Sequence, residues 1–287
     1  MERAPLEEYR MGFKTKLNKL QKSGYLKLGN LALQTGHIKG HVAYKKFIIL
    51  GWARTGSNFL RGLLNSNHQI IAFNEIFREY DSIDWGIPGY NSKSTQLLSL
   101  IQDDPIKFIE TKVFKEYPKQ ISAVGFKLFY YHARNEAWEP IWPYLQKNQD
   151  VSIIHLKRRN ILKTYLSEMR ARQTGQWVNT TGSDTDQTAI ALDYHDCLEK
   201  FTTVREEEKK HDIFFENSCK LEVLYEDLIS DYAGESERIQ KFLGVDGRVL
   251  TPSTYKQTTR PLSKSISNYF ELKEKFKGTE WAEFFQD

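Results

Sequence analysis

The chain has 287 residues, of which 40% are hydrophobic and 13% aromatic, so it can bury the core of a large α/β domain and is not a disordered chain. Its formal net charge is +4, and the positive excess lies in residues 1–45, which hold nine Lys or Arg against three Asp or Glu. The remainder is close to neutral, which argues against the extended basic surface of a nucleic-acid-binding protein.

The sequence predicts a protein of a reducing compartment. It contains no run of about 18 apolar residues, so no transmembrane helix is expected, and the first residues lack the apolar core of a signal peptide. Two cysteines in a chain of this length do not indicate a disulfide framework, and their spacing is not that of a zinc site. We therefore predict a cytoplasmic location.

Residues 1–45 are predicted to form a basic extension that packs on a single domain spanning residues 46–287. A helix is expected around 7–20, and the glycines that follow are expected to interrupt helical structure. Contact of this segment with an anionic membrane or with a partner is the alternative interpretation.

The most informative stretch is Phe47–Leu64, with the sequence FIILGWARTGSNFLRGLL. Phe47–Leu50 is a short apolar run typical of a buried strand, and from Ser57 onward apolar residues recur at helical spacing. The glycine-containing turn between them would gather unpaired backbone N–H groups at the positive end of a helix dipole. This geometry predicts a site for phosphate or sulfate.

The turn differs from the phosphate loop of nucleotide hydrolases and kinases at two functional positions. Gly51 and Gly56 have the separation of the G-x-x-x-x-G-K-[ST] motif, but Ser57 and Asn58 stand where that motif has its lysine and its metal-binding hydroxyl. The only positive charge in the loop is Arg54. The loop therefore predicts transfer of an anionic group without Mg²⁺.

Downstream, short apolar runs alternate with helical patterns. Strands are predicted at 69–73, 122–131, 151–156 and 220–225, and helices at 101–117, 140–146, 157–172, 189–211, 234–243 and from 268. Polar excursions are predicted at 78–100 and at 173–188, and the second is a candidate mobile lid. Strands that alternate with helices predict a three-layer α/β/α fold with a central parallel sheet.

In a parallel sheet, ligands bind beyond the carboxyl ends of the strands, where four polar stretches of this chain would meet. They are Gly51–Gly56, Asn74–Glu75, the residues after Phe129, and Lys157–Asn160. In the last stretch, Arg159 stands at the predicted strand end, and Ser167 follows eight residues later. An arginine and a hydroxyl in this arrangement can hold a phosphate by charge-assisted hydrogen bonds.

Together the two motifs resemble those of the sulfotransferases that use 3′-phosphoadenosine 5′-phosphosulfate (PAPS). Arg54–Asn58, with the sequence RTGSN, is similar to their 5′-phosphosulfate loop, and is closest to that of the carbohydrate and bacterial members; Arg159 with Ser167 is similar to their 3′-phosphate pair. The resemblance implies a P-loop NTPase-like fold, PAPS as the sulfuryl donor, 3′-phosphoadenosine 5′-phosphate (PAP) as the product, and no metal. The cofactor-binding residues that it implies are Arg54, Thr55, Gly56, Ser57, Asn58, Phe59, Arg159, Ser167 and Arg260.

Four residues are the candidates for catalysis. Glu75 is the candidate general base, because the acceptor must lose a proton as it attacks, and related bacterial enzymes carry a Glu after a similar apolar run. His132 is the alternative base. Lys127 could neutralise charge on the leaving phosphate or the sulfuryl oxygens, but the sequence favours an edge-strand lysine that reaches solvent. Arg54 would stabilise the charge that appears on the bridging oxygen as the S–O bond breaks.

The predicted enzyme transfers the sulfuryl group to a hydroxyl, or to an amine or amide nitrogen, of a carbohydrate, glycolipid or secondary-metabolite acceptor. Aromatic residues of Phe126–Trp138 and Trp177 are candidates for stacking on that acceptor, although core packing is the favoured role. A homodimer is compatible with the resemblance, and Tyr225–Leu228 is interpreted as a structural landmark. The competing hypotheses are a P-loop kinase, which Ser57 and Asn58 disfavour, and a nucleotide- or glycan-binding module without catalysis.

Overall fold

A computed structural model describes residues 24–33, 35–179, 188–254 and 260–286, so the predicted helix at 7–20 and residues 180–187 of the predicted lid lie outside the described residues. Within them, the strands are β1 (Lys45–Gly51), β2 (Ile70–Phe73), β3 (Ala123–Phe129), β4 (Val151–Lys157) and β5 (Lys220–Leu224). They form one sheet in the order β2-β3-β1-β4-β5, and every neighbouring pair is parallel. Each strand lies on an apolar run that the sequence predicted as a strand.

The strands are connected and covered by helices. They are α1 (24–33), α2 (Ser57–Ser66), α3 (Thr95–Asp103), α4 (Pro105–Phe108), α5 (Ile141–Lys147), α6 (Ile161–Thr174), α7 (Tyr194–Phe214), α8 (Tyr225–Ser230), α9 (Tyr232–Phe242), α10 (Leu262–Ser265) and α11 (Tyr269–Lys275). A π-helical turn spans Ile109–Val113 and a 3₁₀ turn spans Ala282–Phe285. In the part of the chain that the structure describes, no helix combines the length and the apolar character needed to cross a membrane.

Both faces of the sheet are buried, because successive side chains of a strand point to opposite sides. Ile48 and Leu50 of β1 pack into one apolar cluster with residues of α3, α4 and α5. Phe47 and Ile49 of the same strand pack into a second cluster with residues of α2, α8 and α9. A strand buried on both faces is apolar at every position, which is why β1 gives a continuous apolar run in the sequence. The predicted three-layer α/β/α fold is confirmed.

One predicted helix and one predicted interruption of helical structure were wrong. The predicted helix at 101–117 is divided, because Asp104 accepts a hydrogen bond from the backbone N–H of Lys107 at 2.9 Å and so starts a new helix. Pro105 follows at its first turn, where a missing N–H costs nothing. Helix α1 forms although glycines were expected to interrupt this region, and its Leu26 is buried in the core.

The strand order creates a topological switch point between β1 and β4. The connection after β1 leads to β2 on one side of the sheet, whereas the connection after β4 leads to β5 on the other side. Connections that diverge in this way leave a crevice at the carboxyl ends of the two strands. The predicted anion-binding turn follows β1, and Arg158 and Arg159 follow β4. The fold therefore brings these two stretches to the same crevice.

Candidate functional site

Two residues with left-handed backbone shape the turn between β1 and α2. Gly56, immediately before the helix, has φ 90°, and a Cβ atom at this position would come 2.1 Å from Cδ2 of Tyr225. Glycine alone fits such a position. Arg54 has φ 66°, which is uncommon for a residue with a side chain and is found where the surroundings hold the backbone in place. Helix α2 begins at Ser57, so its first N–H groups lie at this turn.

The side chain of Arg54 crosses the crevice to α6. Its Nε and Nη2 atoms donate to Oγ of Ser167 at 3.1 and 2.9 Å, and its Nη1 donates to the carbonyl oxygen of Trp177. Burial and the neighbouring Arg158 lower the pKa of the Arg54 guanidinium, which nevertheless stays charged at neutral pH. Residues predicted to hold opposite ends of one cofactor thus touch each other directly.

Arg158 is a member of the site that the sequence analysis missed. Its guanidinium carbon lies 4.7 Å from the ring centroid of Tyr225, and its Nη1 donates to the carbonyl oxygen of Arg54 at 3.0 Å. Burial lowers the pKa of this guanidinium. Arg158 therefore joins the turn after β1 to the chain after β4. Because Tyr225 lines the same crevice, the interpretation of Tyr225–Leu228 as a purely structural landmark was incomplete.

A cleft of about 490 Å³ opens between the turn and the start of α6. Eight of the nine predicted cofactor-binding residues line it, and these are Arg54, Gly56, Ser57, Asn58, Phe59, Arg159, Ser167 and Arg260. The ninth, Thr55, turns its hydroxyl inward and donates to the carbonyl oxygen of Trp52 at 2.7 Å. The basic side chains in the lining are Arg54, Arg158, Arg159, Lys163, Arg170 and Arg260, against one carboxylate, Glu226, among the described lining residues. Such a charge balance favours a ligand with several negative charges.

Arg170 is another residue of the lining that sequence reasoning missed. It is 5% exposed, and it follows Ser167 by three residues on α6. Residues three apart on a helix lie on the same face. The spacing from the predicted phosphate ligand Ser167 was therefore the signal that would have identified Arg170.

Arg159 lines the cleft, and its guanidinium forms an ion pair with the carboxylate of Asp227. Its Nη1 and Nη2 atoms donate to Oδ1 and Oδ2 of Asp227 at 2.8 and 2.7 Å. Ser167, its predicted partner in holding a phosphate, accepts hydrogen bonds from Arg54. The structure thus brings both predicted ligands to one cleft, with each of them bonded to a different residue.

Beside the cleft, Lys127 forms a buried polar group with Glu75 and Asn58. Its Nζ atom lies 2.8 Å from Oε1 of Glu75, 2.9 Å from Oδ1 of Asn58 and 3.5 Å from Oγ of Ser57. The lysine side chain is 0% exposed, because β3 lies between β2 and β1 in the sheet. The prediction of an edge-strand lysine that reaches solvent was therefore wrong. The loop has no lysine of its own, but β3 supplies an ammonium group at the start of α2.

The two candidate bases lie next to each other. Oε2 of Glu75 is 3.9 Å from Nε2 of His132. Burial raises the pKa of the Glu75 carboxyl, but Lys127 and His132 outweigh this effect and the resulting pKa is below the usual range. Burial lowers the pKa of the His132 imidazole to about 4 and also lowers the pKa of Lys127. At neutral pH the site therefore presents an ionised carboxylate and a neutral imidazole, and either can accept a proton.

Comparison with known proteins finds relatives that span most of the chain. It is similar to Nodulation protein H of Rhizobium tropici, with 26% identity over 249 residues that cover 84% of this chain and 92% of the relative. The chain is also similar to Nodulation protein H of Rhizobium meliloti (strain 1021), with 26% identity over 251 residues that cover 84% of this chain and 94% of the relative. No protein-family model matches the chain. Among solved structures, a sulfotransferase from Alicyclobacillus acidocaldarius aligns with 83% of this chain and 91% of its own, with a TM-score of 0.46 and 13% identity.

Proposed function

We propose that PAPS binds in the cleft described above and that the chain acts as a PAPS-dependent sulfotransferase. Its similarity to Nodulation protein H, a known sulfotransferase, supports this family. The observation that carries the proposal is the six basic side chains around one cleft of about 490 Å³. A donor with phosphate groups on both the 3′ and the 5′ position of its ribose requires cations at two separate places. The cleft offers them at the turn after β1 and at the start of α6.

The residues of the cleft fit the two ends of this donor. Arg54 and the N–H groups at the start of α2 would hold the 5′-phosphosulfate. Arg159 and Ser167 would hold the 3′-phosphate, with Arg260 at the same cleft. When bound, the donor supplies the sulfuryl group and a phosphate that leaves with the electron pair of the broken S–O bond. Arg54 stabilises the negative charge on the leaving oxygen, which is usually a large contribution to such a reaction.

We assign the role of general base to Glu75, which removes the acceptor proton as the acceptor attacks. Its support is the ion pair with Lys127, which keeps the Glu75 carboxyl ionised at neutral pH despite its burial. Because Lys127 also bonds to Asn58 of the loop, its ammonium connects the base with the donor side of the site. His132 remains the second candidate, since it lies beside Glu75 and is neutral at the same pH.

A smaller hollow near Glu75 supports a polar acceptor. It measures about 260 Å³ and is lined by Arg78, Glu79, Ser82, Ile83, Asp84 and Ser92. Asp84 of this lining accepts a hydrogen bond from the side chain of Asn74, which precedes Glu75 in the chain, so the hollow lies beside the segment that carries the candidate base. Side chains of both charges with two hydroxyls suit an acceptor that carries many hydroxyl or amine groups, such as a carbohydrate, a glycolipid headgroup or a polar secondary metabolite.

The test is transfer from ³⁵S-labelled PAPS to a panel of carbohydrates, glycolipids and amine- or hydroxyl-bearing metabolites, in excess EDTA. We expect label in at least one acceptor despite the chelator, which a Mg²⁺-dependent kinase would not give. Calorimetric titration with PAP tests the alternative of a binding module without catalysis, since PAP binding without sulfuryl transfer would indicate such a module. A protein that does not bind PAP would contradict the assignment of the donor. The cytoplasmic location, the homodimer and the absence of a metal requirement stay predictions.

A further inference from the structure

Arg159 is held by protein contacts at each of its polar groups. Its backbone N–H donates to Oε2 of Glu226 at 2.9 Å, and its carbonyl oxygen accepts from Nη2 of Arg205 at 2.7 Å. Its guanidinium forms two hydrogen bonds with the carboxylate of Asp227, at 2.8 and 2.7 Å. The side chain is 53% exposed, and an exposed arginine without such contacts samples many rotamers. The pair with Asp227 therefore fixes the direction of a side chain that burial does not fix.

At the start of α6, backbone N–H groups that could bind a phosphate are already used by side chains of the protein, so a phosphate there relies on side chains, among them Arg159. N–H groups at a helix N-terminus commonly bind phosphate, but here several already serve the protein's own side chains. Glu226 accepts from the N–H of Asn160 at 3.4 Å as well as from that of Arg159, and the Asn160 side chain accepts from the N–H of Lys163 at 3.0 Å. A phosphate at this end of the cleft consequently depends on side chains more than on backbone N–H groups, and Arg159, which follows β4, supplies one of these side chains.

We propose that Asp227 is a positioning residue that fixes the Arg159 guanidinium and so makes the cleft selective for a phosphate on the 3′ position of the ribose. The inference rests on the proposed use of PAPS as donor. The pair with Asp227 uses one N–H of each terminal nitrogen of Arg159 and leaves the other three N–H groups for a ligand. A guanidinium fixed in one direction distinguishes phosphates at neighbouring ribose positions, whereas a mobile one follows the phosphate to either position.

The experiment is a calorimetric comparison of the wild-type protein with Asp227→Asn, which removes the charge and keeps the size of the side chain. The ligands are PAP, its isomer adenosine 2′,5′-bisphosphate, and adenosine 5′-monophosphate. We expect the wild type to prefer PAP to its isomer, and we expect this preference to fall about five-fold in the variant, because the mobile arginine can then follow the phosphate to either ribose position. The affinity for adenosine 5′-monophosphate should not fall, which shows that the cleft is intact.

The ratio of the affinities for the two isomers distinguishes a positioning role of Asp227 from a simple effect of its negative charge. Loss of a nearby carboxylate strengthens the binding of both bisphosphates alike, so it leaves their ratio unchanged. Asp227→Glu keeps the charge and displaces the carboxylate by one methylene. We expect it to reduce the preference for PAP as Asp227→Asn does, and it replaces Asp227→Asn in the comparison if that variant does not fold. Glu271→Gln is the matched control, since it removes an exposed carboxylate, paired with Lys275 at 2.6 Å, that does not line the cleft.

Each outcome decides the inference. A preference for PAP that falls in the Asp227 variants and not in Glu271→Gln supports it. A preference that survives Asp227→Asn, or a wild type that binds both isomers equally, overturns it and leaves the proposed function intact. A wild type that binds neither bisphosphate overturns the proposed donor and the inference together.

Discussion

Lys127→Met tests whether the buried ion pair with Glu75 organises the candidate active site. The lysine side chain is 0% exposed and the glutamate side chain 14%, and their charged atoms are 2.8 Å apart. Removal of one partner from a buried pair costs about 3–5 kcal/mol, because the other charge stays buried without compensation. Glu75 is slightly exposed and can take up a proton, so we expect the lower end of this range, about 3 kcal/mol of unfolding free energy.

A double-mutant cycle with Glu75→Gln distinguishes the pair from lost packing. The double variant has neither charge, so we expect it to be more stable by about 2 kcal/mol than the sum of the two single effects indicates. Urea unfolding at pH 7, followed by far-ultraviolet circular dichroism, measures the four free energies. Single effects that add to within about 0.5 kcal/mol would refute the coupling between Lys127 and Glu75.

The same pair determines the direction of a pH effect. In the wild type the pKa of Glu75 is held below its ordinary value of 4.5, so its contribution to stability is complete above that pH and is lost as the pH falls through the lowered pKa. In Lys127→Met, burial without the ammonium raises the pKa of Glu75, and the variant gains stability as it takes up a proton. The difference in stability between the two proteins should therefore narrow as the pH falls toward and below 4.5. A difference that is independent of pH would contradict this reasoning.

Three further predictions concern the reaction itself and are measured with labelled PAPS and with PAP titrations. Arg54→Ala should lower kcat at least about 100-fold through loss of charge stabilisation on the leaving oxygen, and full turnover by this variant would contradict the mechanism. Arg159→Ala should raise the Kd for PAP about 10- to 100-fold with a smaller change in kcat, since a charged hydrogen bond is lost in binding; an unchanged Kd would remove Arg159 from the site. Glu75→Gln should slow transfer about 100-fold or more and abolish the acidic limb of the pH–rate profile. If its rate and profile equal those of the wild type, His132 is the base, and His132→Gln should show the loss.

The general course of the chain and most of the candidate site were predictable from the sequence. Apolar period and glycine position are local properties, so the strand, turn and helix of Phe47–Leu64 were recognisable without any tertiary contact. Parallel strands all end at one edge of the sheet, and this rule was sufficient to bring Arg54, Arg159 and Ser167 to one cleft. The helix at 101–117 was one exception, because a capping aspartate and a proline restart the helix within an otherwise continuous apolar pattern.

Tertiary structure alone decided the order of the strands and the partners of the charged residues. An apolar run does not show which strands lie beside it in the sheet. The burial of Lys127 between β2 and β1 and its ion pair with Glu75 therefore could not be predicted from the sequence. The same holds for Arg54 and Ser167, which are 113 residues apart in the chain and in contact in the fold. Charge partners depend on which distant elements pack together, and that packing is set by the whole core. The sequence by itself therefore predicted eight of the residues that line the cleft, and the fold determined which carboxylate or hydroxyl the charged residues hold.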